Sequence, residues 1–253
     1  MRDAALTLTT REALRRFLRE AQRRREERLS FTVEKPLAAS LSDPQLRALI
    51  DQLLPMAQER AAQLRRERGG GWRVTLRLRY RAGVRIADAY GRGDTDALSP
   101  EERETLARAL TMIALAQQDT PAPPLLARRL FDAARACAAY DNPATGTAAH
   151  SQVVSAVSAL LGGRANCQGF SDAYYLLGTL AGFQVGYQAG FKGRQPHLWN
   201  VLLLENRWHT VDVTAGIFAV FQGKNPPISE KHLHNHEKMC YTELDLFHSH
   251  DGS

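Results

Sequence analysis

Leu160-Leu161-Gly162-Gly163-Arg164-Ala165-Asn166-Cys167-Gln168-Gly169-Phe170-Ser171 is the stretch on which the reading of this chain turns. Gly162-Gly163 interrupts what precedes it, and Asn166 is a strong helix N-cap because its side chain can accept from the free N–H groups of a first turn. Past that cap, Phe170, Tyr174, Leu177 and Leu180 recur at helical spacing. Cys167 lies three residues before Phe170, so it falls on the inward face of the helix at its first turn. A helix start favours a thiolate through its unpaired N–H groups and its dipole. The same N–H groups can hold a developing oxyanion. Position alone fits a buried structural cysteine equally well.

Two segments further on supply what a thiolate needs. Pro196-His197-Leu198-Trp199-Asn200-Val201-Leu202-Leu203-Leu204 and Arg207-Trp208-His209-Thr210-Val211-Asp212-Val213-Thr214 read as two strands, with Glu205-Asn206 as a two-residue turn between them. If Leu204 opposes Arg207, then His197 faces Thr214 and Asp212 faces Trp199. Asp212 is then the diagonal neighbour of His197 on the same face, roughly 7–8 Å away along the backbone and within reach of a His–carboxylate bond. A one-residue slip would turn the carboxylate to the other face. His209 has opposite parity to Asp212 and points away. A nucleophile, a base and a group that orients the base thus converge as Cys167, His197 and Asp212.

The stretch 160–171, together with His197-Leu198-Trp199-Asn200-Val201 and Trp208-His209-Thr210-Val211-Asp212-Val213-Thr214, resembles bacterial transglutaminase-like proteins. The likeness rests on a nucleophile segment, a His-x-Trp-Asn motif and a Trp-x-x-x-Asp-x-Thr motif in the order Cys, His, Asp, and covers roughly residues 140–216. It implies an α+β, papain-like core in which the nucleophile helix packs on an antiparallel sheet, preceded by a small α/β module. It implies Cys167 as nucleophile, His197 as general base and acid, and Asp212 as the residue that orients His197, with Gln168, Trp199 and Asn200 in support. It also implies acyl-enzyme chemistry on peptide or isopeptide amides: a peptidase, an amidase or a protein-glutamine transferase. Hydrolysis stands slightly ahead. The alternative is a catalytically silent binding or scaffolding module on the same fold, placed at a cell surface.

The rest of the chain frames this site. Residues 9–28 read as a helix with Leu14, Phe17, Leu18 and Ala21 inward, and 29–34 as a strand ended by Pro36. Ser42-Asp43-Pro44 opens a second helix, expected to run on to Gly69-Gly70-Gly71. Trp72, Val74, Leu76, Leu78 and Tyr80 alternate with Arg73, Thr75, Arg77, Arg79 and Arg81, which predicts a half-exposed strand with its arginine side wet. Residues 91–96 read as a connector, Ser99-Pro100 as a helix start, and 125–140 as a helix carrying Cys137 as a small buried thiol. The expected division is an N-terminal module over 1–98 and a catalytic domain over 99–253.

A net charge of +6 raises the question of nucleic acid, but Glu12, Glu20, Glu26 and Glu27 interleave with the N-terminal arginines as on a solvated helix face. A protein or peptide substrate is expected, and no specific nucleic-acid partner. Three cysteines, Cys137, Cys167 and Cys240, form neither a disulfide framework nor a zinc knuckle. Asp and Glu do not cluster at calcium-loop spacing, and no metal or cofactor is expected. His232, His234, His236, Cys240, His248 and His250 read as a solvated tail, and His150 as a loop residue near the site mouth. No apolar run approaches the roughly 20 residues of a membrane span. The segment 1–6 has no apolar core of a signal peptide. That fits a cytoplasmic protein, or an extracytoplasmic one whose leader has been removed. The oligomeric state leaves no mark.

Overall fold

The computed structural model describes residues 6–220, and they fall into two compact units that divide between Tyr80 and Arg81. The first comprises β1 (Leu6–Leu8), α1 (Arg11–Arg23), β2 (Arg28–Val33), α2 (Asp43–Leu53), β3 (Ala57–Arg66) and β4 (Trp72–Tyr80). Its sheet has the order β1-β2-β4-β3, with β1 parallel to β2 and the other pairs antiparallel. Thr10 caps α1 by accepting from the Ala13 N–H at 3.1 Å. The Ser42 N–H at the head of α2 is held by Gln45 Oε1 at 2.9 Å. Leu14 and Leu18 of α1 and Leu46 and Ile50 of α2 are buried in one cluster with Leu29, Phe31, Val74 and Leu76 of the sheet. On β4 Val74, Leu76, Leu78 and Tyr80 are buried and Arg73, Arg77 and Arg79 are exposed, as the alternation requires.

Two boundaries differ from the sequence reading. The first helix stops at Arg23, and Arg25 turns the chain with φ 57°. The second stops at Leu53 rather than at the triple glycine. Pro55 cannot continue a helix, lacking the N–H and clashing with the preceding turn. Ala57–Arg66, rich in helix formers, pairs instead with β4 along its length. Ladder hydrogen bonds, burial of Ala57 and packing of Ala62 and Leu64 on the core outweigh local propensity there.

The second unit comprises α3 (Ala82–Arg92), α4 (Pro100–Ala116), α5 (Pro123–Ala136), β5 (Ala139–Tyr140), α6 (Ala148–Ser151), α7 (Ala156–Leu160), β6 (Arg164–Ala165), α8 (Cys167–Leu180), β7 (Gln184–Lys192), β8 (Gln195–Leu204), β9 (Arg207–Asp212) and β10 (Ile217–Val220). The last four strands form an antiparallel sheet of order β10-β9-β8-β7. Helix α8 packs on β7 and β8 and is ringed by α3, α4, α5 and α7, so that every residue from Gly169 to Gly178 is buried. This is an α+β fold with one central helix on an antiparallel sheet. The unit begins before residue 98 because α3 packs against α8. A Cβ on Gly83 would stand 2.6 Å from the Asp172 carbonyl oxygen, so the approach needs glycine.

Asp172 pins the helices together. Its buried carboxylate accepts from the Gly83 N–H at 3.1 Å, the Ala156 N–H at 2.7 Å and the Tyr187 hydroxyl at 2.6 Å. It therefore sits at the starts of α3 and α7, where helix dipoles favour negative charge. Burial pushes its pKa up, opposed by the Arg81 charge and by these donors. Tyr187 in turn stacks on Tyr175 with ring centroids 4.6 Å apart.

Candidate active site

Cys167 is the first residue of α8, as its place after Asn166 indicates, and is half-buried. Asn166 Oδ1 accepts from the Gln168 N–H at 2.9 Å and the Gly169 N–H at 3.3 Å. Two of the first-turn N–H groups that the sequence offers to an oxyanion are thus taken by the cap. The Cys167 N–H is the one this cap leaves. The helix start is fixed from outside as well: the Asn166 N–H donates to the Val153 carbonyl at 2.9 Å, and β6 pairs with β5, placing Ala165 opposite Tyr140. A Cβ on Gly169 would lie 2.5 Å from the Val153 oxygen, so the sulfur's first turn is wedged against residues 153–155.

His197 lies on β8 and Asp212 closes β9. Glu205 and Asn206 have φ of 49° and 59°, the two left-handed residues of a type I′ turn, whose twist suits a tight hairpin. The pairing runs Leu204 to Arg207 through Asn200 to Val211, the register read from the sequence. It brings His197 Nε2 to 2.7 Å from Asp212 Oδ2, with the residues 9% and 3% exposed. The other carboxylate oxygen accepts from the Ala215 N–H at 3.0 Å, so the acid is held from both sides. His209 turns elsewhere: its Nδ1 is 3.1 Å from the Arg207 carbonyl and its ring lies against Phe218.

With Nε2 committed to Asp212, Nδ1 is the nitrogen left for the sulfur. Burial alone would lower the imidazole pKa. Hydrogen bonds to Asp212 and Cys167 and the charges of both overcome it, and lift the pKa from 6.5 to about 9. The ring therefore keeps its second proton through neutral pH. Helix and strand are tied directly, since the Ser171 hydroxyl donates to the Leu198 carbonyl at 2.9 Å. Trp199 stacks on the His197 ring at 5.7 Å and covers Gly190, where a Cβ would come 2.7 Å from the indole.

The remaining residues singled out from sequence are scattered around this core. Gln168 Oε1 accepts from Arg81 Nη1 at 3.2 Å. Asn200 points to the opposite face of β8, where its amide donates to the Gly186 carbonyl at 3.2 Å. Cys137 is the C-cap of α5, half-buried. Its S–H donates to the Ala134 carbonyl, and burial pushes the thiol up to about 11. His150 lies within the short helix α6, with Nδ1 3.2 Å from the Pro143 carbonyl. The histidines of the tail and Cys240 lie outside the described residues. Asp172 and Ser171 had no signal in the sequence, because each acts on a partner distant along the chain; Arg81, expected on the wet side of the strand, lies past its end at the start of α3 and is buried.

A half-buried thiol at a helix start, next to an imidazole held by a buried carboxylate, defines a thiol–imidazole–carboxylate site on an α+β core. Residues 108–213 match the model of the Transglutaminase-like superfamily. Locally it is similar to the kyphoscoliosis peptidases of Homo sapiens, 38% identical over 65 residues, and Mus musculus, 37% identical over 65 residues. Each match takes in 21% of this chain and 10% of the relative, so the chain spans about a tenth of the length of these curated relatives. Among solved structures, a TGase aligns with 91% of this chain and 64% of its own at 13% identity and a TM-score of 0.43. A candidate cysteine protease of Cytophaga hutchinsonii aligns with 65% and 69% at 10% identity and a TM-score of 0.35.

Proposed function

We propose that the chain is a cysteine-dependent acyl-transfer enzyme acting on peptide or isopeptide amide bonds. Cys167 is its nucleophile, His197 its general acid and base, and Asp212 the residue that orients His197. The observation that carries this reading is the 2.7 Å bond between His197 and a buried Asp212, which leaves the ring's other nitrogen to the sulfur. In the proposed reaction Sγ attacks the amide carbonyl carbon, and the oxyanion forms at the start of α8, beside the Cys167 N–H. His197 gives its proton to the departing amine as the C–N bond breaks, leaving a thioester. Water or a second amine then attacks the thioester, His197 takes that nucleophile's proton, and the sulfur is released. Local likeness to a peptidase puts water ahead of an amine as the second nucleophile.

The first test is alkylation with iodoacetamide at neutral pH, read peptide by peptide by mass spectrometry. Cys167 is expected to label faster than Cys137 and to slow markedly in His197→Ala. Equal, slow labelling of Cys167 in both proteins counts against an activated thiol. The reaction type is then read by incubating a peptide library with and without a primary amine. Cleavage or deamidation indicates hydrolysis, and amine adducts indicate transfer.

A further inference from the structure

The sheet of the first unit has a second face that the helices do not cover. Along β4 it carries Arg73, Thr75, Arg77 and Arg79, all exposed. Across the strands, Arg28 of β2 stands directly opposite Arg77, and Arg65 of β3 directly opposite Arg73. Like charges facing each other across a ladder destabilise the pair, whereas Thr or Ser at the same places would not. Arg73 is matched by Glu67 at 2.7 Å and Arg79 by Glu59 at 3.1 Å. Arg28, Arg65 and Arg77 have no carboxylate partner among the described residues. Between the two opposed pairs the surface is small and neutral, with a depression of about 190 Å³ lined by Ala61, Gln63, Thr75 and Arg77.

We infer that this face is a docking surface for an extended, acidic stretch of polypeptide. Same-face positions on β4 recur every ~7 Å, and the opposed arginine pairs lie ~14 Å apart along the strand. An extended peptide laid along β4 repeats its own side chains at the same interval. Acidic residues at alternate positions therefore meet guanidinium forks, which grip carboxylates in two-point bonds. Small side chains between the forks let the peptide backbone come close. The described residues of this face carry no aromatic ring on which bases could stack, and Glu59 lies among the arginines. Both features favour polypeptide over single-stranded nucleic acid. On this view the repulsion between opposed arginines is a cost to the free fold that an anionic partner relieves.

The test is fluorescence anisotropy with the full chain and a fluorescein-labelled peptide of alternating Glu and Ser, at low and at physiological salt. Arg28→Thr/Arg77→Thr is expected to weaken binding about tenfold or more, the value of a pair of charge-assisted contacts. A control that removes the same charge from α1, Arg11→Gln/Arg16→Gln, is expected to bind within about twofold of the native chain. A folding readout separates loss of the surface from loss of the fold. Removing both members of the Arg28–Arg77 pair, and with them their repulsion, should leave the thermal midpoint unchanged or higher. The inference is overturned if the native chain does not bind the peptide, or if both double variants bind it equally. It is also overturned if the sheet variant unfolds at lower temperature, or if an oligonucleotide of equal charge binds more tightly through the same arginines.

Discussion

Replacing Asp212 by Asn removes a charge from the site while keeping its shape. In the native protein, burial pulls the His197 imidazole down, and the hydrogen bonds and charges of Asp212 and Cys167 carry it from 6.5 to about 9. That difference is worth about 3 kcal/mol in favour of the protonated ring. Asp212 is the foremost of the raising contributions, so in Asp212→Asn burial is opposed chiefly by the sulfur, and the ring should titrate well below its native value of about 9. The assay is a proton–carbon NMR titration of the histidine rings from about pH 5 to pH 10, with the His197 signal identified by its loss in His197→Gln. The linked stability has a definite sign. A folded pKa above the unfolded one stabilises the native chain fully below pH 6.5, and this contribution is lost as pH rises through about 9. The fall in urea midpoint across that window should shrink in Asp212→Asn. A ring that still titrates near 9 in the variant would refute the reasoning, as would a larger drop in Cys167→Ser than in Asp212→Asn.

Four further outcomes follow from the packing and from one turn. Gly169→Ala puts a methyl 2.5 Å from the Val153 oxygen and should cost about 1–3 kcal/mol in urea unfolding, because both sides of the contact are backbone-bound. Asp172→Asn keeps one acceptor oxygen but turns the other, one of the two that receive the Gly83, Ala156 and Tyr187 donors, into a donor itself, and should cost about 1–3 kcal/mol. Tyr187→Phe, which removes one of the same carboxylate's donors, should cost only about 1 kcal/mol in the same assay. Glu205→Asn/Asn206→Gly, at two positions with positive φ, should raise the thermal midpoint slightly, since Asn-Gly suits a type I′ turn better than Glu-Asn.

The parts of the chain that could be read in advance are those whose determinants are local. Asn166 announces the start of α8 within three residues of the sulfur. Alternation around the two-residue turn sets the register of β8 and β9, and with it the meeting of His197 and Asp212. What could not be read depends on distant partners. Residues 57–66 are helix formers by composition, and only pairing with β4 makes them a strand. Helix α3 went unseen because Gly83 and Gly91 weaken its pattern, while the reason for Gly83 is a carboxylate 89 residues away. The Arg81 grip on Gln168 spans 87 residues. The Asn166 cap illustrates the remaining gap: its presence was legible, but not that it would occupy two of the N–H groups beside the sulfur.

The bond from the Ser171 hydroxyl to the Leu198 carbonyl joins the turn of α8 just past the sulfur to the peptide just past the imidazole. The helix that carries the sulfur and the strand that carries the imidazole are therefore fastened to each other beside the reacting pair. A single hydroxyl thus acts as a spacer between two groups that sit on separate elements.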